Sequence, residues 1–142
     1  MNFLFLNSAR TWGGNEKWVR LAATSLQTEH QSYLAYRSPI VGNNIPVKQY
    51  MLPFRHEADL STLASLVRLV YRHKIDVLIP TKRKEYVLAG IVSMICGCSN
   101  ILRLGIVRDL SGKPFQAFVF NRLADGVIVN AEPVKEKLLE LR

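Results

Sequence analysis

Phe3-Leu4-Phe5-Leu6-Asn7-Ser8-Ala9-Arg10-Thr11-Trp12-Gly13-Gly14-Asn15 is the stretch on which the fold turns. Four consecutive apolar side chains without alternation are the pattern of a strand covered on both faces. The run stops at Asn7-Ser8, passes a turn holding a glycine pair, and gives way at about Asn15 to helical spacing. There Trp18, Leu21, Ala22, Ser25 and Leu26 fall on one face. A buried strand that feeds a helix through a short glycine turn is the opening unit of an α/β sheet.

The same alternation repeats downstream. Residues 33–36 and 47–51 read as strands, separated by a loop marked by Pro39, Gly42 and Pro46. Asp59 is placed to cap a helix whose stripe is Leu63, Leu66, Val67, Val70 and Tyr71. Val77-Leu78-Ile79 is another buried strand, stopped at Pro80. Residues 85–96 form a helix apolar nearly all round, expected to pack tightly, with Gly97 as its C-cap. Residues 101–107 are a fifth strand. Pro114 opens a helix with Phe115, Phe118, Val119 and Leu123 on one side. Val127-Ile128-Val129 is a sixth strand, and Pro133 starts a last helix with Val134, Leu138 and Leu141 facing inward. Strands alternating with helices predict an α/β, Rossmann-like, doubly wound and mostly parallel sheet with helices on both faces.

Composition agrees with one such domain over residues 1–142. With 49% hydrophobic residues the chain can bury a core, which excludes disorder. The longest nearly uncharged apolar run, 86–96, falls short of the roughly 20 residues that cross a bilayer. The first residues carry no basic leader ahead of a long apolar segment, so no signal peptide is expected. Two cysteines, Cys96 and Cys98, are too few and too close for a disulfide scaffold. They also lack a second pair, and His30, His56 and His73 lie apart, so no metal site is expected. The expected location is the cytoplasm.

Nineteen Lys and Arg against eleven Asp and Glu give a net charge of +8. Such an excess favours anionic partners, unless it is only a solvated surface. No aromatic RNA-binding motif accompanies it, and nucleic acid is not expected as a partner.

In a doubly wound sheet of order 3-2-1-4-5-6, the ligand crevice opens at the carboxyl ends of the strands, where the order reverses. That point lies between the first strand and the one ending at Pro80. It receives Asn7, Ser8, Gly13, Gly14, Thr81 and Lys82. The segment Gly13-Gly14-Asn15 stands before a helix N-terminus, where free N–H groups and the helix dipole favour an anion. It is neither a dinucleotide fingerprint nor a P-loop, which disfavours an NAD-dependent oxidoreductase. Thr81-Lys82-Arg83-Lys84 sets three cations just beyond a strand end, either to bind a phosphate or carboxylate or as a solvated first helical turn. Arg103 interrupts an apolar strand and needs a partner, which is either a ligand anion or a protein carboxylate. Arg108 follows the same strand and is more freely placed.

These residues resemble the N-terminal domain of a family 4 glycosyltransferase, one half of the two-domain GT-B architecture. The resemblance runs through Trp12-Gly13-Gly14-Asn15-Glu16, similar to that family's Gly-Gly-x-Glu loop. It continues in Asp76-Val77-Leu78-Ile79-Pro80-Thr81, and in Ala124-Asp125-Gly126-Val127-Ile128-Val129-Asn130 ahead of a capping helix. The resemblance implies sugar transfer from a nucleotide-sugar co-substrate, with retention and without metal or other cofactor. Gly13, Gly14 and Asn15 would approach the donor phosphates, while Ser8, Thr81, Lys82, Arg83, Arg103 and Arg108 would face the acceptor.

The donor-binding C-terminal domain, with its pair of glutamates, is expected to be missing from these residues, leaving the chain inactive alone. Many relatives carry His-Gly at the end of the fifth strand, where this chain has Leu104-Gly105, so no catalytic residue is assigned. The neighbouring cations imply an anionic or lipid-linked glycan acceptor, as in lipopolysaccharide or other cell-surface glycan synthesis, with peripheral contact on an anionic membrane. The alternative is a stand-alone Rossmann-like module that holds a phosphorylated small molecule without catalysis.

Overall fold

The computed structural model describes residues 1–104, 118–129, 135 and 139. Its elements run β1 (Asn2–Asn7), α1 (Gly14–Leu26), β2 (Gln31–Tyr36), a short α2 (Pro39–Gly42), β3 (Lys48–Met51), α3 (Leu60–His73), β4 (Val77–Pro80), α4 (Arg83–Cys96) and β5 (Ser99–Leu104). A π-helical turn over Val119–Leu123 leads to β6 (Gly126–Val129). The six strands form one sheet in the order β3-β2-β1-β4-β5-β6, all parallel. This is the α/β doubly wound sheet that the alternation predicts, and the order reverses between β1 and β4 as expected.

Successive β1 side chains enter opposite layers. Leu4 and Leu6 pack with Leu66, Leu78, Leu88 and Ala89 beneath α3 and α4. Phe5 packs with Val19, Ala23, Leu34 and Ile79 beneath α1 and α2. A third cluster, Tyr86, Leu102, Leu104, Val119 and Leu123, seats the π-helical turn against α4. Gly90 permits that approach, since a Cβ there would stand 2.7 Å from the Leu123 Cβ. Gly97 ends α4 with φ +76°, the left-handed C-cap anticipated for it.

Several helical faces differ from the expectation. In α1 the buried positions are Glu16, Val19 and Ala23, while Leu21 is 67% exposed. Ser25 is exposed too, and Trp18, Ala22 and Leu26 flank the buried stripe. The helix starts one residue early and turns a neighbouring stripe inward. In α3, Leu69 is buried and Tyr71 is exposed, because the sheet accepts a face centred on Leu66 and Val70. The last turn of α4 leaves Met94 and Ile95 exposed, so its apolar girth is not all core. Phe118 is half exposed whereas Val119 and Leu123 are buried. Positions 105–107, 114–117, 134, 138 and 141 lie outside the described residues, with the readings placed on them.

Asp59 caps α3 as anticipated. Its carboxylate accepts from the N–H groups of Ser61, Thr62 and Arg55 and from the Thr62 hydroxyl, at 2.8 to 3.3 Å. The Arg55 N–H is the largest of the influences that lower its pKa to about 2, against a burial that raises it. Among the described residues, no helix is long and apolar enough to cross a membrane.

Candidate functional site

The crevice at the β1/β4 reversal is assembled from the strand ends. Thr81, just after β4, donates its hydroxyl to the Leu6 carbonyl at 2.7 Å and accepts from Asn7 Nδ2 at 3.2 Å. Asn7 Oδ1 in turn accepts from the Ala9 N–H at 2.9 Å. Both side chains are buried. They fix where the chain leaves β1 for the glycine turn.

Two helix N-termini meet above this floor, and neither N-cap supplies a side-chain acceptor. Gly13 stands before α1 and Lys82 before α4. Their first-turn N–H groups are therefore left to other partners. Neither glycine is forced by the backbone: Gly13 has φ −152°, which any residue adopts. A Cβ on Gly14 would meet nothing within 4 Å, so the approach to the α1 N-terminus is open. An open N-terminus of this kind accommodates an anion through its N–H groups and dipole.

The two helices brace each other. Asn15 Nδ2 donates to the Thr81 carbonyl at 3.2 Å. Glu16, only 3% exposed at its side chain, pairs with Lys82 Nζ at 3.3 Å. From the other side, Glu85 Oε1 accepts from the Ser8 N–H at 2.8 Å. Each helix thus carries a buried glutamate in its third position that reaches across to the other unit.

Glu85 is fully buried, and among the described residues its Oε2 has no hydrogen-bond partner. Burial pushes its pKa up to about 8, overcoming the opposing pull of Ser8 and of the Lys82 charge. Nothing in the sequence reading singled it out. The available signal was its place three residues after Lys82, the position a capping-box glutamate takes.

Arg103 lies on β5 with 5% exposure, and its guanidinium rests over the Trp18 ring at 4.5 Å. Among the described residues, its Nε and Nη1 have no hydrogen-bond partner. Burial holds its pKa below the ordinary arginine value. Of the two partners left open by the sequence, no carboxylate pairs with it among the described residues. An aromatic face supports the cation instead, and Trp18, which also packs against the core beneath α1, carries it.

The sequence-predicted residues divide accordingly. Ser8, Gly13, Gly14, Asn15, Thr81 and Lys82 are brought together at the crevice. The Thr81 hydroxyl and the Ser8 N–H are committed to the fold, and Lys82 is engaged by Glu16. Arg83 is exposed in the first turn of α4, Arg103 is buried on Trp18, and Arg108 lies outside the described residues.

No family model matches the chain. A comparison with curated proteins likewise finds no match. Solved structures do match in fold. HepE of Anabaena, in complex with UDP-glucose, has a TM-score of 0.80 at 18% identity, over 99% of this chain and 40% of that one. A glycosyltransferase from Rickettsia africae has a TM-score of 0.80 at 9% identity, over 98% and 39%. A Listeria monocytogenes protein described as a UDP-N-acetylglucosamine 2-epimerase has 0.67 at 13%, over 99% and 42%. The chain spans about two fifths of the length of these structures, and its fold is that of one half of the GT-B architecture.

Proposed function

We propose that the chain is the N-terminal, acceptor-side domain of a nucleotide-sugar-dependent glycosyltransferase acting in cell-envelope glycan synthesis. The observation that carries this reading is the crevice at the β1/β4 reversal. There the α1 N-terminus is uncapped and open above Gly14, on a fold similar to that of HepE with bound UDP-glucose. In this reading the donor's phosphates approach Gly13-Gly14-Asn15, where N–H groups and the helix dipole meet negative charge. The reaction retains anomeric configuration and needs no metal. The nucleotide and the glutamates that act on the donor belong to a C-terminal domain.

The acceptor is anionic or lipid-linked. Its charged group is received by Arg103, whose buried Nε and Nη1 have no hydrogen-bond partner among the described residues. Lys82 leaves Glu16 to join it, and Arg83 and Arg108 extend the positive rim. The enzyme works from the cytoplasm, in peripheral contact with an anionic membrane.

The test uses the protein isolated from its own cells, whose mass is expected to be about twice that of the present residues or more. In that protein, Arg103→Ala and Lys82→Ala are expected to raise the acceptor KM about tenfold or more while the donor KM holds. Unchanged acceptor kinetics would remove the anionic-acceptor assignment. A native mass no larger than 16.1 kDa would leave no donor-binding half and favour a non-catalytic binding module.

A further inference from the structure

Away from the crevice, β3 forms one edge of the sheet, and a groove of about 390 Å³ lies between it and α3. Its floor is apolar: Tyr50, Leu52 and Leu69. Its wall is one face of α3, where Ser65, Arg68 and Arg72 recur at intervals of three and four residues. No carboxylate lines the groove, and neither arginine is ion-paired among the described residues. The Tyr50 hydroxyl bonds His73 Nε2 at 2.6 Å, which holds its ring in place as part of the floor.

Burial lowers the pKa of the His73 imidazole, and the charges of Arg72 and Lys48 lower it further. Two exposed guanidinium groups one helical turn apart offer forked donors to an anion. The floor offers contact area to an apolar body, and the volume is within the range of roughly 300–1,000 Å³ usual for small-molecule sites. None of these residues takes part in the crevice.

The geometry points to a second binding site, for an amphiphile carrying a phosphate or carboxylate, with the anion between Arg68 and Arg72 and the apolar body on Tyr50, Leu52 and Leu69. This site is independent of the proposed sugar transfer.

The probe is octyl phosphate, kept monomeric and titrated into the chain while backbone amide shifts and heat are followed. Saturable binding is expected, with shifts at Tyr50, Leu52 and Ser65 and an affinity about tenfold or more above that of inorganic phosphate. The double variant Arg68→Gln/Arg72→Gln is expected to weaken it about tenfold, whereas Lys17→Gln/Arg20→Gln, an equal loss of charge on α1, changes it less than about twofold. Absence of saturable binding, equal loss in both double variants, or shifts confined to the crevice would overturn the assignment. Vesicles then identify the source. Retention on phosphatidylglycerol but not phosphatidylcholine, lost in Arg68→Gln/Arg72→Gln, identifies a lipid headgroup. Octyl phosphate binding without retention identifies a soluble ligand.

Discussion

Asp59 and Glu85 are the same chemical group at the starts of two helices, the N-cap of α3 and the first turn of α4, and their environments drive them in opposite directions. Both are buried. Asp59 collects four donors and is held at about 2. Glu85 has the Ser8 N–H on one oxygen and, among the described residues, nothing on the other, so burial prevails and it rises to about 8. Burial alone therefore does not set the charge of a helix-start carboxylate; the number of donors aimed at it does. Asp59 fastens the start of α3, whereas Glu85 holds the segment that leads into the glycine turn.

The widest separation of the two should come from removing Asp59. Asp59→Ala leaves the N–H groups of Arg55 and Ser61 and the buried donors of Thr62 without their acceptor and is expected to cost about 3 kcal/mol, read from urea unfolding at pH 7. The native contribution is present above the unfolded value of 3.8 and is lost as pH falls through about 2. If Asp59→Ala left the acid limb of the stability curve unchanged, the four donors would not be holding the carboxylate charged.

Glu85 should give the opposite slope. The folded chain holds a proton that the unfolded chain releases near 4.5, so wild-type stability falls as pH rises from about 4.5 to about 8 and is level beyond. Glu85→Gln keeps an acceptor for the Ser8 N–H and removes the buried charge. It is expected to exceed the wild type by about 2 kcal/mol at pH 9 and to match it near pH 5. Parallel melting curves for the two proteins across that range would show that Glu85 ionises without penalty.

A smaller effect is expected at the third carboxylate, Glu16, which has a cation for a partner. Lys82→Met should cost about 1 kcal/mol, because Lys82 is about one-third exposed and water screens part of the pair. In a double-mutant cycle with Glu16→Gln, a coupling energy indistinguishable from zero would mean that the brace between α1 and α4 rests on Asn15 and Glu85 alone.

Arg103→Met should have the least effect on stability, within about 1 kcal/mol of the wild type and on the favourable side, because it replaces a buried cation that, among the described residues, has two unsatisfied donors with an apolar chain. A large loss of stability instead would place the worth of Arg103 in its packing on Trp18 rather than in a waiting ligand.

The strand order, the two-faced burial of β1, the Asp59 cap and the Gly97 stop were legible because each follows from local pattern. Continuous apolar runs, a carboxylate before a helix and a glycine after one have few alternative readings. The faces of α1 and α3 were not. Leu21 and Tyr71 share the periodicity of their buried neighbours, and only the position of the sheet decides which stripe turns inward. Glu85 was illegible for a related reason: beside Lys82, Arg83 and Lys84 it reads as one more surface charge.

What the sequence by itself determined is the parallel sheet, its reversal between β1 and β4, and hence the crevice that gathers Ser8, Gly13, Gly14, Thr81 and Lys82. These rest on spacing, which the chain carries along its length. Which polar groups are satisfied was decided only by the tertiary structure. Lys82 finds Glu16, Glu85 finds Ser8, and Arg103 rests, among the described residues, on the face of Trp18. Those partners are 66 to 85 residues apart, so their meeting depends on how α1, α4 and β5 pack, and with it the charge that the crevice presents.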